Sequence, residues 1–207
     1  MFKSLCGFVG LSRKIFNVLT IFLSFWVINS SSAFAQQDSF SKRFESRELG
    51  LMLQVYPAGV IPTLNYELIS EKKLSYIFRV GGNFANRKNF STYNNYEKGK
   101  GFGVSLGCRK YFSLKKGNLM AGVNTDVWNM WIDWENDIGN PNQSEGKSYT
   151  LVVQPWLEVG YSLKIGPSPF KLVISTGFGR EINVITKGRD VGQGWMNSGV
   201  LYLQYIL

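Results

Sequence analysis

Eight stretches between Leu49 and Leu207 alternate apolar and polar residues with a period of two, and that repetition constrains the fold more than any other feature. In the first, Leu49, Leu51, Leu53 and Val55 share a face opposite Glu48, Gly50, Met52 and Gln54. The second sets Leu64, Tyr66 and Leu68 against Thr63, Asn65 and Glu67, and the third sets Leu74, Tyr76, Phe78, Val80 and Phe84 against Ser75, Arg79, Gly81, Asn83 and Arg87. Phe102, Val104, Leu106 and Cys108 oppose Gly103, Ser105, Gly107 and Arg109 in the fourth. The fifth, with Leu119, Ala121, Val123, Val127 and Trp131 opposite Gly122, Asn124 and Asp126, blurs where Trp128 and Met130 intervene. In the sixth, Tyr149, Leu151, Val153, Leu157, Val159 and Tyr161 oppose Thr150, Gln154, Glu158, Gly160 and Ser162; in the seventh, Phe170, Leu172, Ile174 and Phe178 oppose Lys171, Ser175, Gly177, Gly179 and Glu181. The eighth is the closing "GVLYLQYIL", whose exposed edge needs a partner strand. A side-chain period of two belongs to strands, so the fold is all-β.

The connections sort the possible β architectures. "SEKK", "SLKKGN" and "KIGPSP" are short turns, and between them fall "NRKNFSTYNNYEKGKG", "ENDIGNPNQSEGKS" and "VITKGRDVGQG", which are long, polar and rich in Gly and Asn; the first connection, "PAGVIP", is short. Short turns at one end and long loops at the other mark an eight-stranded antiparallel up-and-down transmembrane barrel. A soluble lipocalin-like barrel would put the apolar face inside. Glycine separates the two: Gly50, Gly81, Gly103, Gly107, Gly122, Gly160, Gly177 and Gly179 all lie on the polar face. A water-facing surface has no steric need for them, whereas a crowded interior does. The polar face is therefore expected inside. Apolar-face aromatics gather toward strand ends (Tyr66, Tyr76, Phe84, Phe102, Tyr149, Tyr161, Phe170 and Tyr205), as in interfacial girdles.

The N-terminus reads as an export signal. Lys3, Arg13 and Lys14 precede an apolar run from Ile15 to Ile28, too short for a spanning helix, and Ala33-Phe34-Ala35 fits a small-x-small cleavage pattern. The expected organisation is a signal peptide over 1–35, an N-terminal periplasmic segment over 36–47 and a barrel domain over 48–207. The net charge of +9 could suit nucleic acid, but an exported chain does not normally meet it, so lipid phosphates are the expected anions. Cys6 leaves with the signal and Cys108 stands alone, which excludes an intramolecular disulfide.

In its signal, its eight alternating strands and its amphipathic terminal strand, the sequence resembles the small outer-membrane barrel family, the OmpA/OmpX-type barrels. The likeness spans Leu49 to Leu207 and lies in architecture, not in a motif. Such families often end in Phe, whereas this chain ends in Leu207 with Tyr205 two residues before it. The resemblance implies outer-membrane localisation after cleavage near Ala35, and a monomer in contact with outer-membrane lipids, anionic glycolipid included. It also implies that the enzymes of this class rely on a His, and the chain has none. The expected function is non-enzymatic, contributing to envelope structure or to surface contacts through external loops; the alternative is a narrow transport barrel for small or hydrophobic solutes.

No catalytic set, cofactor site or metal site is expected. Ser105 beside Arg109 and Asp126 reads as packing. "EGKS" (Glu145 to Ser148) lacks the phosphate-loop spacing, because Gly139 precedes Gly146 by seven residues. Two constellations remain. The first is an inward charge network of Glu48, Glu67, Arg79, Arg109, Asp126, Glu158, Lys171 and Glu181, with Arg87 as a further inward base, expected to plug a narrow interior. The second is a cationic and aromatic loop carrying Arg87, Lys88, Phe90, Tyr93, Tyr96, Lys98 and Lys100, suited to a surface ligand with anionic sugars or lipid phosphates.

Overall fold

The computed structural model describes residues 44–207 apart from 89, 90 and 92. The signal peptide read over 1–35, residues 36–43 and Phe90 lie outside the described residues. Eight strands follow: β1 (Phe44–Tyr56), β2 (Gly59–Ser70), β3 (Leu74–Lys88), β4 (Tyr96–Ser113), β5 (Asn118–Asn136), β6 (Ser144–Lys164), β7 (Phe170–Lys187) and β8 (Gly194–Ile206). Each pairs antiparallel with its sequence neighbour, and β8 pairs with β1 to close the barrel. The edge of the terminal strand is thus covered, with Leu203 opposite Leu51 of β1 on one side and Leu172 of β7 on the other.

The alternation resolves into an apolar outside and a polar inside. Leu51, Leu157 and Ile174 are 65%, 58% and 59% exposed on the outer wall, while Glu67, Arg79 and Gln154 are 0% exposed within. Inward glycines give the tryptophans room. A Cβ on Gly177 would lie 2.7 Å from Trp156 Cε3, and one on Gly103 would lie 2.6 Å from Trp128 Cε3. The outer aromatics form two bands. Toward the long connections, Phe102 meets Trp131 at 5.8 Å between ring centroids and Trp131 meets Tyr149 at 5.6 Å; toward the short turns, Phe170 meets Tyr205 at 5.4 Å.

The strands run further than the alternation suggests. β1 begins at Phe44, ahead of the expected start at Glu48, and β4 begins at Tyr96, so Tyr96, Lys98 and Lys100 belong to the wall and not to a loop. The registers Asn86 with Lys98 and Lys98 with Asp133 continue the ladder to the rim. A backbone that rises from the wall still needs hydrogen-bond partners, and neighbouring strands supply them even where the side chains are polar on both faces. The turn between β1 and β2 is tight, with Tyr56 paired to Gly59.

Candidate functional site

The lumen contains two layers of different chemistry. Toward the short turns, Arg109 on β4 sits between two carboxylates. Its Nε donates to Glu158 Oε2 at 3.1 Å, its Nη2 to both Glu158 oxygens at 3.1 and 3.0 Å, and its Nη1 to Glu67 Oε2 at 3.2 Å. The Tyr202 ring lies 4.4 Å from the guanidinium carbon. Both carboxylates are saturated with donors: Glu67 accepts from Ser75 Oγ at 2.6 Å, Tyr111 OH at 2.7 Å and Gln204 Nε2 at 2.7 Å. Glu158 accepts from Ser175 Oγ at 2.6 Å, Tyr202 OH at 2.8 Å and Asn124 Nδ2 at 3.1 Å. Such saturation lets charges persist away from water. Below this layer Lys171 pairs with Glu48, and its Nζ stands 5.0 Å from the centre of the Tyr111 ring.

The inward network groups Asp126 with Arg109, but the two are not paired. Asp126 faces Arg79 at 3.9 Å and accepts from Trp156 Nε1 at 3.0 Å, whereas Arg109 is engaged by Glu67 and Glu158. Strand geometry explains the pairing: Asp126 is directly opposite Ser105, and Ser105 is directly opposite Arg79, so the three share one level across β3, β4 and β5. Arg109, on the same strand as Ser105, points in at a lower level. Ser105 Oγ accepts from Arg79 Nη1 at 3.1 Å. A guanidinium cannot take a proton from it, and the Asp126 carboxylate across from it is engaged by Arg79 and Trp156.

Toward the long connections the inner wall turns apolar. Ile61, Ala85, Trp128, Met130, Ile132 and Val152 pack together, with Trp128 Nε1 satisfied by Gln154 Oε1 at 3.0 Å. At the mouth stands a second ion cluster. Arg87, expected among the surface contacts as well as inside, points inward: its Nη2 meets Glu181 Oε2 at 2.7 Å and its Nη1 meets Glu97 Oε2 at 3.1 Å. Glu97 is an inward acid that does not stand out in the sequence, because "YEKGKG" reads as loop. Its signal was present, since Glu97, Gly99 and Gly101 alternate with Lys98 and Lys100. Tyr111 and Tyr202 went unassigned to the network although each stands two residues from an inward polar neighbour, Arg109 and Gln204.

Of the remaining candidates, Lys88, Lys98 and Lys100 are exposed on the outer wall, Tyr93 is 42% exposed and Tyr96 is half-buried at the rim. Lys88 and Lys98 rise above the aromatic band, and Lys100 is level with its upper edge, directly opposite Phe84 and Trp131 in the two registers.

A closed ring of eight strands, short turns at one end, an apolar outer belt and a polar interior are now in view together. The architecture is an eight-stranded, antiparallel up-and-down β-barrel. No family model matches the chain, and no curated protein does. Among solved structures, Neisserial surface protein A is similar at 11% identity, with a TM-score of 0.42, over 77% of this chain and 94% of that one. The N-terminal β-barrel domain of Pseudomonas aeruginosa OprF is similar at 10% identity, with a TM-score of 0.41, over 79% of this chain and 99% of that one.

Proposed function

We propose that this protein is a non-enzymatic, monomeric barrel of the outer membrane whose lumen is plugged and whose rim makes surface contacts. The observation that carries the reading is the Arg109 cluster: two carboxylates and a guanidinium with no exposed side-chain surface, closed over by Tyr111, Tyr202 and Gln204. A conducting pore needs water beside such charges, and an eight-stranded barrel leaves an interior that side chains fill. The apolar belt supports a lipid environment, and the aromatic bands support interfaces at its two edges. Lys88, Lys98, Lys100 and Tyr96 then stand at the level of lipid headgroups, a chemistry suited to an anionic glycolipid, with Tyr93 beside them for a surface ligand.

The test is retention of anionic glycolipid by the purified barrel. Lys98→Ala combined with Lys100→Ala should lower retention while heat-modifiable gel mobility, the mark of a closed ladder, persists; unchanged retention contradicts the rim assignment. The apolar inner wall around Trp128 and Met130 favours a second reading, a narrow transport barrel for small or hydrophobic solutes.

A further inference from the structure

Residues 188–193, between β7 and β8, do not stand clear of the mouth but turn back into it. Val191 is 1% exposed and packs into the apolar wall of Ile61, Trp128, Met130, Ile132 and Val152. Four consecutive carbonyls of this segment are held by side chains from around the barrel. Ser148 Oγ donates to Arg189 at 2.7 Å, Asn94 Nδ2 to Asp190 at 3.0 Å, Asn183 Nδ2 to Val191 at 2.9 Å and Arg87 Nη1 to Gly192 at 2.9 Å. The Gly192 N–H donates to both oxygens of Glu97 at 3.0 and 3.1 Å.

The β7–β8 ladder begins only at Gly194, opposite Glu181. The segment can therefore leave its seat without breaking a strand pair. Its ends suit that motion: Gly188 holds φ at +104°, a conformation side chains resist, and a Cβ at Gly194 would meet nothing within 4 Å. A segment seated by side-chain hydrogen bonds and one apolar anchor, outside the strand ladder, is a unit that can open without global unfolding.

The geometry points to a gate: residues 188–193 form a strap that Arg87 and Glu97 latch over the packed apolar layer in the outer half of the lumen. Glu97 is the keystone, because it binds the strap backbone and Arg87 together while also accepting from Ser91 Oγ at 2.6 Å and Asn94 Nδ2 at 2.8 Å. The gate governs water's access to that layer and holds whether or not a solute passes.

Thiol labelling in lipid nanodiscs tests it, with Cys6 and Cys108 changed to Ala. Val191→Cys should react with a water-soluble maleimide far more slowly than Lys187→Cys, which is exposed at the end of β7. Adding Glu97→Gln removes the charged acceptor and should raise the Val191→Cys rate roughly tenfold or more, leaving Lys187→Cys unchanged. Asn183→Ala and Ser148→Ala, which each remove one neutral bond, should give smaller rises and carry the test if Glu97→Gln does not fold. Equal rates for the two thiols without any latch change would mean that no strap closes. Protection that survives in every folded latch variant would make the segment a fixed plug and overturn the gate.

Discussion

The two halves of the lumen mix buried charge and apolar volume in different proportions. Near the short turns, Arg109, Glu67 and Glu158 have no exposed side-chain surface and stand among Ile69, Tyr111, Met120 and Val173. Near the mouth, Trp128, Met130, Ile132 and Val152 fill it with apolar volume, and the ion cluster of Arg87, Glu97 and Glu181 is displaced to the rim. The difference teaches where each half draws its stability. The inner half depends on every partner being present, since one loss leaves a buried charge bare. The outer half rests more on packing, with its buried ion cluster confined to the mouth beside residues 188–193.

The sharpest break in that comparison is Arg109→Ala. Removing it strands Glu67 and Glu158 together, and the fold should lose about 3 to 5 kcal/mol, read from urea unfolding of the reconstituted barrel. Arg109→Met combined with Glu67→Gln and Glu158→Gln should recover most of the loss, because no buried charge then lacks a partner. If the triple variant is as weak as Arg109→Ala, the inner layer is not governed by charge pairing. The wall between the layers gives the next effect: Leu157→Arg, on the apolar belt, should cost roughly 2 to 4 kcal/mol, and Ser162→Thr, facing inward near a short turn, much less. The reverse ranking would place lipid on the wrong side.

How far the sequence revealed this division follows from the same chemistry. The inner layer was legible because its charges fall on alternate positions beside glycines; Glu67, Arg109, Glu158 and Lys171 all point where the alternation puts them. Their pairing was not legible, since partners depend on cross-strand register, and Asp126 meets Arg79 instead of Arg109. The outer layer was hidden because an apolar inward face cancels the alternation: Trp128 and Met130 looked like noise in β5 when they were its inner face. The strap was hidden for another reason. Its contacts join residues as distant in sequence as Arg87 and Gly192, and nothing local in "VITKGRDVGQG" announces a buried valine.

Smaller effects sharpen the contrast. Ile132→Val trims one buried methyl group of the outer layer and should cost about 0.5 to 1.5 kcal/mol without changing gel mobility; a loss as large as that of Arg109→Ala would erase the distinction between the halves. Lys98→Ala and Lys100→Ala, exposed on the outer wall, should each shift stability by no more than about 0.5 kcal/mol, in the same unfolding assay.

Conductance across a planar bilayer tests the plugged lumen most directly. The intact barrel should give no steady current, because the Arg109 cluster closes the inner half whatever the strap does above it. Steady, selective conductance through the intact protein that vanishes on changing Arg79 or Arg109 would contradict the account and make those charges the lining of a path.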